Sequence, residues 1–410
     1  MPALTILCFA YSISLFYRGM IAVIAPELAA DLGLDASGLG MLSSTFFISF
    51  AVAQVPVGIA LDRYGARLTI AVCLWFSVLG TALLSMAGSP FQAFAGQALI
   101  GLGCAPVFTA TMLFIGRHYT PEQFSYMTAL VLAIGSFGDI FGTAPLALLA
   151  DWLGWRWAML VPLMLAALTA CGCWFGLPID RPEGEQPSLA LLLQGMARVL
   201  TLRELWPIFP MVFASYAVLM AIRGLWSGPY LAQIFALGAA ERGVILLLMS
   251  IAMALGTFLL GALDRRLQQT KTVVIGSALL TSVSLLLLTL WPQQSAWLAM
   301  IAFIGIGLCG FNYPLLISHC RTFLASSYHG RGMAVLSALS FIGVALVQGL
   351  SGWMIETSAV MGVAPTEQFR YLFLLLLVVL LLATLAYGFS RSELRPKQSC
   401  CQNVELRPEC

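Results

Sequence analysis

GIALDRYGAR, from Gly58 to Arg67, carries three charged residues between two long apolar runs. The runs at 40–61 and 68–88 contain no charged residue, and each has the roughly 20 residues that cross a ~30 Å hydrocarbon core as an α-helix. A short polar segment with glycines is typical of a turn. The stretch therefore predicts two membrane-spanning helices joined by a charged loop.

The composition extends this interpretation to the whole chain of 410 residues, which is 60% hydrophobic and only 9% charged. Soluble proteins carry about 25% charged residues, so lipid is the solvent for most of this surface. The net charge of +2 without a large basic run excludes nucleic acid as a partner. The ten cysteines form no CxxC pair and no Cys/His cluster, and we expect neither a metal nor another cofactor. No nucleophile–base constellation and no phosphate-binding Gly-x4-Gly-Lys-Ser/Thr loop is present, so we predict neither an enzyme nor an ATP-driven protein.

The predicted fold class is an all-α membrane protein with twelve transmembrane helices. We place the spans at 4–27, 40–61, 68–88, 91–116, 125–150, 157–178, 207–231, 243–263, 272–291, 296–319, 332–354 and 370–390. They divide into an N-terminal six-helix bundle (1–178), a cytoplasmic linker (179–206), a C-terminal six-helix bundle (207–390) and a cytoplasmic tail (391–410). From Ser188 onward the linker has helical apolar periodicity, which predicts an amphipathic helix on the membrane surface.

The basic residues give the orientation. Fifteen of the twenty Lys and Arg fall in the tail and in loops on the side of the N-terminus, and three fall in loops on the other side. This bias predicts cytoplasmic termini, and we expect a bacterial inner membrane. The remaining two, Arg18 and Arg223, lie inside apolar spans.

The two halves of the chain are related. Sliding the sequence along itself by 205 residues aligns Tyr11 with Tyr216, Arg18 with Arg223, and the glycines that follow the two arginines. Near the same offset, the charged loop returns as GALDRR at 261–266. Twelve spans in two repeated halves are the expected form of one large class of secondary transporters.

The opening stretch resembles a motif of the major facilitator superfamily, and the chain is similar to that family over nearly its whole length. The family's G-x3-D-R-x-G-x-R loop is matched at Gly58, Asp62, Arg63, Gly65 and Arg67. The second copy, with Asp264 and Arg265, is degenerate because the later glycine is missing. The resemblance implies two pseudo-symmetric bundles that alternate in access, and a gating role for both loops in preference to direct ligand contact.

Within the family, the stretch 16–67 is similar to the anion:cation symporters. The organophosphate:phosphate antiporters are a looser match, but they share an arginine on the first helix and another on the seventh. One departure concerns proton coupling, because Tyr17 stands where the symporters often have an acid. The fourth span also lacks Asp and Glu, so the usual proton-carrying carboxylates are missing or moved.

The two intramembrane arginines are the main candidates for a substrate site. An unpaired arginine near the bilayer centre costs from ~3 to over 10 kcal/mol, so each needs a water-filled cavity, an acid or an anionic ligand. Asp139 is the one acid deep in a span, and it can neutralise at most one of them. This shortage favours Arg18 and Arg223 as a bidentate clamp for a carboxylate or phosphate. The alternative is that both arginines form internal salt bridges.

Neighbouring polar residues complete the predicted site. Helical spacing places them on the same faces as the two arginines or beside a proline in the tenth span, and they are Tyr11, Ser14, Tyr216, Tyr230, Asn312 and Tyr313. Three interpretations of Asp139 stay open: a proton carrier, the partner of an arginine, or a residue beside the Gly138-x3-Gly142 packing face.

We therefore expect a secondary active transporter of a small organic anion, coupled to protons or to a counter-anion. The expected partners are that anion, the coupling ion and the lipid bilayer, and the expected state is a monomer. One alternative is an exporter of drugs or metabolites in which the arginines are structural. A second alternative is a sensor or scaffold that does not transport.

Overall fold

The computed structural model describes residues 2–178, 189–324 and 329–391. In these residues, twelve helices are long and apolar enough to cross a membrane. They are α1 (Ala3–Leu32), α2 (Ala36–Leu61), α3 (Arg63–Ser85), α4 (Pro90–His118), α5 (Tyr126–Leu153), α6 (Trp155–Gly176), α7 (Arg203–Phe235), α8 (Ala239–Leu267), α9 (Thr270–Leu290), α10 (Ala296–Arg321), α11 (Gly332–Val360) and α12 (Pro365–Gly388). Each overlaps most of one predicted span, which confirms the predicted fold class.

An even number of spans brings both ends of the described chain to one side, which we call the terminal face. The loops between α1 and α2, α7 and α8, and α11 and α12 lie on the other side, the distal face. Residues 179–188 of the predicted linker and the tail from 392 lie outside the described residues. Leu189–Leu200 is a separate helix, where apolar periodicity predicted one from Ser188.

Several spans are interrupted near their middle. Helix α4 turns at Ala105–Pro106, and α10 breaks at Phe311–Asn312, just before Pro314. Proline cannot continue the hydrogen bonding of a helix interior, which accounts for these breaks. Helix α7 instead contains a π-helical segment, Ile222–Trp226. A π-turn holds one residue more than an α-turn, so it rotates the faces before and after it relative to each other.

The charged loop between α2 and α3 turns at a glycine. Gly65 has φ 77° and ψ 173°, a region that is essentially restricted to glycine. No neighbouring helix packs closely against Gly58, because a Cβ added to it meets nothing within 4 Å. Arg63 is exposed and lies over the Tyr64 ring, 5.4 Å from its centroid. The side chain of Asp62 lies outside the described residues.

In the second copy of this loop, Gln268 adopts the left-handed conformation at φ 51°. It does so without a glycine, as one residue can at a cost of about 1–2 kcal/mol. Asp264 is buried and accepts a hydrogen bond from Thr270 Oγ1 at 2.7 Å. This hydrogen bond joins the end of α8 to the start of α9, and Arg265 beside the acid is exposed.

The two halves pack against each other through the distal parts of their helices. A Cβ on Gly40 of α2 would lie 2.6 Å from the carbonyl oxygen of Gln348 in α11, and one on Gly228 of α7 would lie 1.7 Å from the Ala22 carbonyl oxygen in α1. Arg242 of α8 donates to Glu27 of α1 near the distal face. These contacts bring the helix backbones of the two halves together on that side of the membrane.

Candidate functional site

Arg18 lies near the middle of α1, at the boundary between the two halves, and keeps part of its surface accessible. Its Nη1 donates to the Tyr216 hydroxyl of α7 at 3.3 Å. Its Cζ lies 5.1 Å from the ring centroid of Phe50 in α2 and 5.2 Å from that of Phe341 in α11, within the range of a cation–π contact. The guanidinium forms this single hydrogen bond within the described residues, and its buried Nε has no partner there.

Further rings extend this environment. The Tyr216 ring centroid is 6.0 Å from those of Phe311 and Tyr313 in α10, and 5.8 Å from that of Phe341. The Tyr313 hydroxyl shares a hydrogen bond with Ser337 Oγ at 2.9 Å. We call these residues the aromatic chamber: Arg18, the rings of Phe50, Tyr216 and Phe341 that contact it, and the rings of Phe311 and Tyr313 beside Tyr216.

Arg223 occupies the equivalent position in α7, but its environment is different. It is completely buried and donates to four acceptors. Its Nη2 donates to Asp139 Oδ1 at 3.0 Å and to the Asp139 carbonyl at 3.2 Å. Its Nε donates to Ser250 Oγ at 2.9 Å, and its Nη1 donates to the Gly19 carbonyl at 3.4 Å. The positive charge of Arg223 is therefore compensated by protein groups in this conformation.

Asp139 is the partner of an arginine, which is one of the three interpretations made from the sequence. The packing interpretation also holds, since a Cβ on the adjacent Gly138 would lie 1.8 Å from the Ser12 carbonyl oxygen. The second carboxylate oxygen, Oδ2, is buried and has no hydrogen-bond partner among the described residues. A role for Asp139 in proton transfer stays a prediction.

The glycine after each arginine lies against the arginine of the other half. A Cβ on Gly19 would be 2.6 Å from Arg223 Nη1, and a Cβ on Gly224 would be 3.1 Å from the Arg18 carbonyl oxygen. Packing therefore accounts for the repeated Arg-Gly pair: a side chain at Gly19 would displace the Arg223 guanidinium, and one at Gly224 would crowd the Arg18 carbonyl.

The structure does not bring all of the predicted residues to Arg18. Tyr230 is buried among Phe235, Phe303, Phe369 and Phe373, and its hydroxyl donates to the Pro292 carbonyl. The prediction assumed a continuous α-helix from 216 to 230, but the π-helical segment changes the face on which later residues lie.

Asn312 is also removed from the chamber by its own hydrogen bonds. Its Oδ1 accepts from Ser215 and its Nδ2 donates to Ser277 Oγ at 3.0 Å, so its side chain joins helices of the C-terminal half. Tyr11 packs against Phe108 with ring centroids 5.4 Å apart, and Ser14 is buried. Of the predicted residues, Arg18, Tyr216 and Tyr313 lie together in the chamber.

Three chamber residues were not predicted from the sequence, namely Phe50, Phe311 and Phe341. They lie in apolar spans that contain many aromatic residues, and nothing in their local pattern distinguishes a ring that lines a site from one that contacts lipid. The aromatic run FFISF at 46–50 is the one available signal, and it concerns Phe50 alone.

A family model described as Major Facilitator Superfamily matches the chain over residues 7–228 and again over 208–399. A provisionally named tartrate transporter of Agrobacterium vitis is 23% identical over 380 residues, which cover 85% of this chain and 85% of that protein. A gentisate transporter of Corynebacterium glutamicum is 23% identical over 348 residues, which cover 81% of this chain and 76% of that protein.

A solved structure shares the fold. A bacterial homologue of the human lysosomal transporter Spinster, in an inward-facing and unoccupied conformation, has a TM-score of 0.76 to this chain at 15% sequence identity. The match covers 95% of this chain and 96% of that one. The two family matches, one over each half, agree with the internal repeat seen in the sequence.

Proposed function

The chain belongs to the Major Facilitator Superfamily, whose members are transporters and not enzymes, and we propose that it carries a small organic anion by alternating access. The transported group is a carboxylate or a phosphate ester. The relatives named for tartrate and gentisate transport support an organic acid.

Arg18 is the observation that carries this proposal. A guanidinium halfway through the membrane, with one hydrogen bond to a neutral hydroxyl, has most of its donors left for a ligand. An anion would supply both the counter-charge and the acceptors that the described residues do not. The two flanking rings hold the guanidinium in place, so that its planar fork is oriented before the anion binds.

Alternating access follows from the asymmetry of the packing between the halves. The close backbone contacts lie toward the distal face, so the anion reaches Arg18 from the terminal face in this conformation. The conformation that opens toward the distal face requires these contacts and the Arg242–Glu27 ion pair to separate. The charged loops at Gly58–Arg67 and at Asp264–Arg265 would then act as gating elements on the terminal face.

Coupling to protons is assigned to Asp139. Protonation of its carboxylate would remove the counter-charge of Arg223, which favours either separation of the halves or binding of an anion at Arg223. In this cycle the two arginines bind the anion in turn, or jointly in a state other than the one described. We place the protein as a monomer in a bacterial inner membrane with both termini in the cytoplasm.

One observation favours the alternative of an exporter with structural arginines. Arg223 is fully buried, and its hydrogen bonds all go to protein groups. That alternative still leaves Arg18 without a counter-charge among the described residues, and for this reason anion transport is our conclusion.

Transport by purified protein in liposomes tests the proposal, with a panel of carboxylates and phosphate esters and with or without a pH gradient. We expect Arg18→Lys to reduce uptake by at least ~10-fold, because an ammonium cannot reproduce the stacked, bidentate geometry of a guanidinium. Arg370→Lys is the matched control, since Arg370 is partly exposed and pairs with Glu367 in its own helix. Full uptake of every active anion by Arg18→Lys contradicts the role of Arg18. Efflux of neutral or cationic drugs without anion uptake selects the exporter.

A further inference from the structure

The number of free charges limits what the chamber can hold. Among described residues in the spans, Arg18, Arg223 and Asp139 are the charged side chains that lie more than about ten residues from both span ends. Asp139 pairs with Arg223, so one cation is left to face a ligand. A second carboxylate in the same low-dielectric space would have no counter-charge, and its burial would be strongly unfavourable.

The chamber walls are aromatic. Phe50 and Phe341 lie on the guanidinium, while Phe311 and Tyr313 surround Tyr216 and keep part of their surfaces accessible. The centroid distances of 5.8 to 6.0 Å around Tyr216 lie in the range at which rings attract each other. A flat ring can pack on the accessible surfaces while its carboxylate reaches Arg18.

Two polar side chains beside the chamber, those of Tyr313 and Asn312, are already bonded to protein. The Tyr313 hydroxyl bonds to Ser337, and the Asn312 amide is held by Ser215 and Ser277. Each hydroxyl of a buried ligand needs a hydrogen-bond partner, because an unpaired one loses its hydration without compensation. A ligand with several hydroxyls therefore fits these walls poorly.

We propose that the anion bound at Arg18 is a monocarboxylate with an aromatic body, and not a polyhydroxylated dicarboxylate. This rests on the proposed function, since it specifies the substrate class of the same site. One carboxylate matches the one free guanidinium, and a ring matches the accessible aromatic surface.

The test compares three acids in the liposome assay: mandelate, its saturated-ring analogue hexahydromandelate, and tartrate. Mandelate and hexahydromandelate carry the same carboxylate and hydroxyl and differ in the aromaticity of the ring, while tartrate is a dihydroxy dicarboxylate. We expect saturable mandelate uptake above protein-free liposomes, with a half-saturation concentration roughly 3- to 10-fold lower than that of hexahydromandelate. Tartrate should compete only at concentrations ~100-fold higher.

Tartrate uptake equal to that of mandelate would contradict the proposal that the ligand is a monocarboxylate. Equal affinity for mandelate and its saturated analogue would contradict the proposal that its body is aromatic. Both results leave the proposed function intact. Failure of the wild-type protein to move any acid of the wider panel contradicts the proposed function itself.

Variants of the protein test whether the preference for an aromatic acid comes from the chamber rings. Phe311→Leu should raise the half-saturation concentration for mandelate by roughly 3- to 10-fold and leave that for hexahydromandelate nearly unchanged, because the Phe311 ring is partly accessible and lies beside Tyr216, not on the guanidinium. Phe303→Leu is the matched control, because Phe303 is fully buried against Tyr230 and does not contact Arg18. Thermal unfolding of both variants checks their folding, and Tyr313→Leu repeats the test at the other partly accessible ring if Phe311→Leu is unstable. An equal effect on the two acids contradicts the proposal.

Discussion

Arg18 and Arg223 are equivalent in the repeat, but the protein around them is not. Arg223 has four acceptors, whereas Arg18 has one neutral hydroxyl. The difference arises from Asp139 and Ser250, which have no counterparts at the first arginine in the part of the chain that the structure describes. The sequence predicted the pair of arginines, because charge in an apolar span is conspicuous. It could not assign Asp139 to one of them, because that depends on which helices meet between the halves.

At the same scale, Gly19→Ala should destabilise the protein by about 1–3 kcal/mol. The new Cβ would lie 2.6 Å from Arg223 Nη1, and the guanidinium cannot move away without losing hydrogen bonds. Thermal unfolding in detergent measures the change. Gly276→Ala is the control, since a Cβ there meets nothing within 4 Å and alanine favours the helix by roughly 0.5–1 kcal/mol. Equal melting temperatures for the two variants would show that this contact is unimportant.

Among the elements, α7 shows how one wider turn changes where side chains lie. Tyr216 precedes the π-helical segment and bonds to Arg18, whereas helical spacing placed it on the face of Arg223. Tyr230 follows the segment and lies in a separate aromatic cluster. Periodicity assumes 3.6 residues per turn throughout, and an apolar sequence gives no sign of one wider turn.

The contact between α5 and α7 can be tested with a double-mutant cycle on Asp139 and Arg223. Asp139→Asn leaves a buried cation without its counter-charge and should destabilise the protein by roughly 3–5 kcal/mol. Combining it with Arg223→Gln should restore part of that loss, because no charge then remains at the site. Thermal unfolding of the two single variants and the double variant gives the coupling energy. Strict additivity would mean that the ion pair does not contribute to the packing of the halves.

Most of the architecture of the whole molecule was predictable, because a span in lipid must satisfy its own backbone hydrogen bonds and therefore forms a helix. Each stretch of about 20 apolar residues became a helix, and loops such as Gly58–Arg67 separated the spans visibly. The surfaces by which the halves meet were less predictable. Gly40 and Gly352 approach each other closely, but other glycines in these spans, such as Gly58, have open space beside them.

Gly40→Leu should shift the protein away from the conformation described here. A side chain there would overlap the Gln348 carbonyl and separate α2 from α11 near the distal face. In a background without native cysteines, Ser227→Cys reports the shift, since Ser227 is buried at the contact of α7 with α1. We expect its labelling by a membrane-impermeant thiol reagent to rise by roughly tenfold for a shift of about 1.4 kcal/mol. Gly276→Leu should leave labelling unchanged, and a similar rise there would contradict the assignment.

The four acceptors of Arg223 have a consequence for biosynthesis. Three of these acceptors, the Asp139 carboxylate, the Asp139 carbonyl and the Gly19 carbonyl, belong to the N-terminal half. A C-terminal half made on its own would insert into the bilayer with a guanidinium that has lost its counter-ion. During translation, that half is incomplete until it docks onto the six helices made before it. The order of synthesis thus delivers the acceptors first and the cation second, so the exposed charge needs to persist only as long as docking takes.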